Sequence, residues 1–400
     1  MGKKIMNLKI TIIFLLCLLL FQAELFSRSV DIDAIYLRKD SSLYNRIISE
    51  KFESYTKAGS LLVDSNVAFA VWAGNREIVY VTETAGLNRL MVYNINNHEK
   101  REILRFGGAA TSLQGRGRGY IILKRMFMKG GLPRGETIWY NPATETTGVL
   151  PGAGAFPEFT LSPDGFSVFI EGAEGIYQHR PDSGTKRLFI EKSEYSGLGS
   201  SRETVFAYVS PDSSRSAVIK GSGGQYKGII LSSEGKPLPG VTSSTELFWI
   251  DNSRIIMRTG VAGSFNGEIL DIEKGKRETL VADSLNTNIS FSARAGRAAL
   301  LDNQLICVYD VNDGKLFMSG LEGDDPALSP DGLRLISLFQ NRLFVTRLDS
   351  LKRSDHKLKG HSAKLAELYR KASADKASHK NDFSSEYIRK KIRVYERHGR

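Results

Sequence analysis

One phrase occurs twice, and its spacing constrains the fold more than any other feature. "FTLSPDGFSVFI" runs from Phe159 to Ile170, and "ALSPDGLRLISLF" from Ala327 to Phe339. Degenerate copies lie between and before them: "VSPDSS" from Val209, "WIDNSR" from Trp249, "FSARAGRAALL" from Phe291, "VWAGNREIVYV" from Val71 and "LQGRGRGYIIL" from Leu113. The turn centres fall near residues 74, 117, 164, 212, 252, 295 and 331, in steps of 43, 47, 48, 40, 43 and 36 residues. Each unit opens with a short apolar run and a turn. Pro presets φ, Asp bonds nearby amides and Gly accepts positive φ. Two β-rich runs follow, then Asn/Asp-Gly or Gly-Lys punctuation as in "VNDGK" and "DIEKGK", then a last short strand. Four strands per unit at this period describe a propeller blade, which buries its faces only by stacking on its neighbours.

The expected fold is therefore all-β: a single β-propeller of four-stranded blades over residues 60–350, with seven blades favoured and six as the alternative. The unit at 108–156 is the least regular. A sandwich does not explain the near-constant period. The last unit runs out of β-like sequence before a fourth strand, since "TRLDSLKRSDHKLKG" turns polar. Either Ser60–Asp64 ("SLLVD") or Asp33–Leu37 ("DAIYL") is expected to supply that strand and close the ring.

The flanks differ in kind. Lys3, Lys4 and Lys9 precede an uncharged apolar run from Ile10 to Phe21, too short to span a bilayer but suited to a signal peptide. Residues 1–27 are read as that signal, with cleavage near Ser27. Cys17 lies inside the apolar run after Leu16, which argues against a lipidation site. Cys307 is then the one remaining cysteine, so no intrachain disulfide is expected, and its apolar surroundings mark a core residue. Residues 28–59 form a partly helical lead, with Leu43, Ile47, Ile48 and Phe52 at helical spacing. Residues 351–400 form a basic, partly helical tail with 15 Lys/Arg against 6 Asp/Glu, which accounts for most of the net charge of +11. In the tail, Leu365, Leu368, Tyr369 and Ala372 share one helical face, with Ser362 as the expected N-cap. Ile388, Ile392 and Tyr395 form another face amid Arg389, Lys390, Lys391, Arg393 and Arg397. Those five cations are read as a contact for a partner or an anionic membrane surface.

The phrase "LSPDG" resembles the WD40-like repeats of TolB-type periplasmic β-propellers, strongly in two units and partially in a third. The resemblance implies the propeller fold and a periplasmic or envelope setting. TolB itself carries an α/β domain before its propeller, and residues 28–59 are too few to form one, so the resemblance is carried over for the fold and not for the TolB role.

Ser162, Pro163, Asp164, Gly165, Ser210, Pro211, Asp212, Ser329, Pro330, Asp331 and Gly332 are read as structural turns. Their residue types are explained by backbone geometry without any chemistry. His98 and His179, the histidines of the body, have no partner at metal-ligand spacing, and no nucleophile elbow or phosphate loop is present. No catalytic residue, metal or cofactor is assigned. "GRGRG" (Gly115–Gly119) and "EGDDP" (Glu322–Pro326) are noted as an anion and a cation candidate, with solvated turns as the simpler reading. The functional expectation is an exported, non-enzymatic interaction scaffold, periplasmic in a diderm bacterium and otherwise extracellular or envelope-associated, binding an envelope protein or a peptidoglycan-associated partner. The alternative is a glycosidase- or lyase-like enzyme, or a small-ligand sensor, using the central channel. Nucleic acid fits the charge but not export.

Overall fold

The computed structural model describes residues 32–37, 41–84, 86–150, 158–198, 203–222, 225–238, 246–261, 264–284, 288–292, 295–375 and 383–400. The proposed signal lies outside them. Helices α1 (Ile32–Leu37) and α2 (Ser41–Lys57) precede the ring, and "DAIYL" is thus helical. Seven four-stranded antiparallel sheets follow. Six are built from consecutive strands: β2–β5 (Val67–Gly107), β6–β9 (Ala109–Val149), β10–β13 (Phe159–Glu191), β14–β17 (Thr204–Leu238), β18–β21 (Glu246–Ser284) and β22–β25 (Ile289–Glu322). They are blades 1 to 6. A helical turn, α3 (Lys192–Tyr195), follows blade 3. Blade 7 contains β26 (Asp324–Leu328), β27 (Arg334–Phe339) and β28 (Arg342–Arg347), and its fourth strand is β1 (Leu61–Ser65), paired antiparallel to β28 with Leu62 opposite Phe344. The ring is closed by the "SLLVD" segment. After it come α4 (Leu348–Asp375) and α5 (Phe383–Gly399). The polar stretch at 348–361 is the start of one long helix, so Ser362 lies within α4 and caps nothing; its Oγ instead meets His398 Nδ1 at 2.7 Å.

The seven sequence turns all join the first and second strands of their blades. In blade 3 the Gly165 amide donates to Ser162 O at 2.9 Å, closing a turn with Pro163 at its second position. Ser162 Oγ donates to Asp164 Oδ1 at 2.5 Å and accepts the Ser167 amide at 2.9 Å, while the Phe166 amide donates to Asp164 Oδ1 at 3.0 Å. Blades 4 and 7 repeat this arrangement: Ser210 Oγ donates to Asp212 at 2.8 Å and Ser329 Oγ to Asp331 at 2.6 Å. The turns also rivet neighbouring blades. A Cβ on Gly165 would stand 2.2 Å from Arg116 O, and one on Gly119 would stand 2.2 Å from Gly165. The glycines of "GRGRG" therefore permit backbone contact between blades 2 and 3. Inner strands are stitched in the same way, with Trp72 Nε1 donating to Ala327 O at 2.9 Å and Trp249 Nε1 to Tyr208 O at 2.8 Å.

Gly165 and Gly332 have φ of +79° and +65°, and in the degenerate copy Ser213 holds the same place at +62°. An L side chain in that region costs about 1 kcal/mol. Ser213→Gly is expected to stabilise the protein by about 0.5–1 kcal/mol in denaturant unfolding. Gly165→Ala, which adds a backbone clash to the φ penalty, is expected to cost upward of about 2 kcal/mol in the same measurement.

Candidate functional site

Each blade alternates direction, so the first-to-second strand turns lie on one face of the ring. The second-to-third strand hairpins and the crossings to the next blade lie on the other. The helices cap this crossing face at blades 6 and 7. Their anchor is Glu322, the last residue of β25. One carboxylate oxygen accepts from Lys391 Nζ and Tyr395 Oη, each at 2.5 Å, and the other pairs with Lys51. Lys51 also pairs with Asp33, whose other oxygen accepts Tyr369 Oη at 2.6 Å and Tyr387 Oη at 2.8 Å. Lys391 donates further to Asn303 O at 2.8 Å and Gln304 Oε1 at 2.9 Å. Tyr55 Oη donates to Glu322 O at 2.5 Å. All four charged side chains are buried. Burial alone would push the Asp33 carboxyl up; the charges of Lys51 and Lys391 and the hydrogen bonds from Lys51 and Tyr369 outweigh it and hold it at about 2.

This arrangement corrects the reading of the basic tail. Lys390 and Lys391 are 2% and 0% exposed. Lys390 pairs with Asp283 at 2.8 Å, and Arg397 with the buried Asp302. Arg393 reaches Asp283 at 3.6 Å, and Arg389 is exposed, with its Nε on Ser385 O at 3.2 Å. Two of the five cations therefore face the protein interior rather than a partner. The spacing carried a signal for this: Lys391 is four residues from both Tyr387 and Tyr395, hence on the inward stripe of α5. "EGDDP" is likewise no solvated loop at Glu322. Cys307 is buried, and burial raises its thiol well above the usual range. His98 Nδ1 is bonded to Tyr93 Oη at 2.6 Å.

The channel is lined by alternate residues of the inner strands. At the crossing-face ends of these strands stand Glu158, Glu246, Asn288, Asp324 and Asp325, with Arg258 of the second strand of blade 5 opposite Glu246. The Ile289 amide donates to Glu246 at 3.1 Å, Arg258 donates to Asn288 Oδ1 at 3.2 Å, and Asn288 Nδ2 donates to Asp325 at 2.8 Å. Burial raises the Glu246 and Asp325 carboxyls. Burial and the like charge of Asp325 raise Asp324 to about 7, against the opposing charge of Lys391. Deeper in, Phe206 lies 6.5 Å from Tyr208 and 6.2 Å from Tyr226 between ring centroids. At the turn face, Arg116 of blade 2 reaches across to Phe248 of blade 5, its guanidinium carbon 5.6 Å from the ring centroid. None of these residues except Arg116 and those of "EGDDP" was singled out by motif, because each blade contributes one or two and they converge only in space. Among the described residues no group of His, Cys, Asp and Glu is arranged to hold a metal ion.

A third feature is the hairpin of β7 (Ile121–Lys129) and β8 (Leu132–Asn141), the longest in the ring. Gly130 and Gly131 have φ of +61° and +77°, as a two-residue type I′ turn requires. At its tip Met128 and Leu132 are 46% and 56% exposed, next to Lys129 and Arg134.

No family model matches the chain, and no curated protein does. Solved structures do. The chain is similar to TolB from Acinetobacter baumannii (16% identity over 69% of this chain and 65% of that one, TM-score 0.41). It is similar to hydrazine synthase of Kuenenia stuttgartiensis (12%, covering 72% and 96%, TM-score 0.49). It is also similar to an oligogalacturonate lyase from Vibrio parahaemolyticus (8%, covering 72% and 93%, TM-score 0.48). These are likenesses of the propeller fold.

Removing Lys51 would leave Asp33 and Glu322 buried without their shared cation. Lys51→Met is expected to cost about 3–5 kcal/mol in denaturant unfolding. The two carboxyls give opposite pH signatures. Asp33, lowered on folding, contributes stability that is complete above its unfolded value of 3.8 and lost as pH falls towards about 2. Asp324, raised on folding, lowers stability as pH rises from 3.8 to about 7, with no further loss above that. Asp324→Asn is therefore expected to raise the unfolding midpoint at pH 8 and leave it unchanged near pH 4. Equal effects at both pH values would contradict this assignment.

Proposed function

We propose that this protein is an exported β-propeller acting as an interaction scaffold in the periplasm or cell envelope, and that it engages a protein partner through the blade 2 hairpin. The observation that carries this reading is the exposed apolar tip. Among the described residues Met128 and Leu132 are about half exposed, and a long, well-registered ladder from Ile121↔Tyr140 to Lys129↔Leu132 carries them at its end. Exposed apolar groups on a rigid projection suit docking, where area is buried with little ordering cost. The tail contributes less than its charge suggests, because Lys390, Lys391 and Arg397 are paired within the protein. Export rests on the Ile10–Phe21 segment. Among the described residues no helix is long and apolar enough to cross a membrane.

The channel favours a second reading. Its acidic mouth, aromatic wall and arginine suit a ligand chamber for sensing or catalysis better than an apolar plug would.

The double variant Met128→Asp/Leu132→Asp is expected to keep the wild-type unfolding midpoint. In affinity capture from envelope extract it should lose at least 10-fold of the partner retained by the wild type. Undiminished capture of the same partner would remove the hairpin from the interface.

A further inference from the structure

Arg116 is an unusual cation for a channel. Its main chain belongs to the turn packed on Gly165, while its side chain leaves that turn and spans the lumen. Blades 3 and 4 stand between it and Phe248 on one side of the ring and blades 6, 7 and 1 on the other, so the guanidinium and the phenyl ring face each other across the turn-face end of the channel. Among the described residues, no carboxylate lies within ion-pair distance of it. Asp164 is nearby, but its Oδ1 is already held by Ser162 Oγ and the Phe166 amide. Enclosure without a paired anion lowers the Arg116 guanidinium to about 10, with Tyr208 and Asp164 only partly offsetting the loss of water. A guanidinium so placed offers its N–H donors to a planar oxyanion. The surface that leads inward from it is apolar: Phe248 from β18 at the guanidinium, then Tyr208 and Phe206 from β14, two residues apart with ring centroids 6.5 Å from each other. Arg258 at the opposite mouth differs, since it already donates to Asn288 and stands beside Glu246 in register.

We infer that the turn-face end of the channel is a binding site for an organic carboxylate, its carboxyl group on Arg116 and its apolar body along Phe248, Phe206 and Tyr208. The inference rests on the reading of the channel as a ligand chamber. Among the described residues the helices lie on the crossing face, so the ligand enters from the turn face, where Arg116 stands. The apolar wall separates this ligand class from sulfate or phosphate, which would gain nothing from the rings.

The test is isothermal titration calorimetry of the full chain at low ionic strength with three probes: 4-phenylbutyrate, the matching alcohol 4-phenylbutan-1-ol, and sulfate. The expected result is saturable binding of 4-phenylbutyrate with a Kd in the millimolar range or tighter, and binding at least 10-fold weaker for the alcohol and for sulfate. Arg116→Gln should weaken the carboxylate at least 10-fold and leave the alcohol unchanged, and Arg116→Lys should fall between. Phe248→Leu, which keeps the cation and trims the wall, should weaken both organic probes, and it serves if the Arg116→Gln protein does not fold. Binding of the alcohol as tightly as the carboxylate, or no effect of Arg116→Gln, overturns the carboxylate site while the ligand chamber stands. Sulfate matching 4-phenylbutyrate overturns the organic ligand class. No saturable binding of any probe up to about 10 mM overturns both readings.

Discussion

The Glu322 carboxylate holds together parts of the chain that the ring alone would leave loose. It sits where the last strand of blade 6 crosses to blade 7, and it receives Lys51 from the leading helix and Lys391 and Tyr395 from the last one. Two carboxylates and two ammonium groups are buried together, so the cluster is neutral as a whole, and tyrosine hydroxyls and backbone oxygens fill the remaining positions. Such a cluster costs desolvation to form, and the docking of the helices seen here gives each of its four charges a partner. The strand β1 closes the ring through backbone hydrogen bonds, and the ionic cluster then fixes the helices on either side of that closure. Chain start and chain end are secured at the same place by two different kinds of interaction.

The repeated turn is a second level of the same construction. Ser-Pro-Asp-Gly satisfies its own amides and presents a glycine to the preceding blade, so it sets both the blade and its spacing. The degenerate copies show which parts can change. Blade 4 keeps Ser, Pro and Asp and gives up the glycine, placing Ser213 at positive φ. Blade 5 keeps only the aspartate, and Asp251 still accepts the Ser253 and Arg254 amides at 2.9 and 2.8 Å. In blades 4 and 5 the retained element is the carboxylate that organises the turn, whereas the turns of blades 1, 2 and 6 carry none. The glycine matters most where another backbone comes close, as Gly165 does with Arg116 O.

Sequence periodicity made the ring legible, including the seven turns, because each signal is local and repeats; of the two segments it offered to close blade 7, Ser60–Asp64 supplies the strand and Asp33–Leu37 is helical. The helices of the tail were legible as amphipathic faces. Their destination was not, since composition reports that Lys390 and Lys391 are charged but not that Asp283 and Glu322 wait for them more than 60 residues earlier in the chain. Only the four-residue spacing of Lys391 to two tyrosines pointed inward. The channel was illegible for a related reason. Phe206, Tyr208, Glu246 and Phe248 each look like ordinary strand residues, and a propeller turns such residues into a site by radial convergence.

The two faces of the ring consequently do different work. On the crossing face the helices occupy blades 6 and 7, which leaves the hairpin of blade 2 standing clear on the far side of the same face. Docking there would not disturb the ionic cluster, because no side chain of the hairpin takes part in it. Among the described residues the turn face carries no helix, and Arg116 lies there at the end of the channel. Asp324 lies between the Glu322 cluster and the lumen, and its carboxyl responds to Asp325 on one side and Lys391 on the other. Charge placed at the crossing-face mouth is therefore felt by Lys391, one of the residues that hold the helices, whereas Arg116 lies at the opposite end of the channel. The geometry thus separates an end capped by the helices and the Glu322 cluster from the turn-face end, where Arg116 and Phe248 meet.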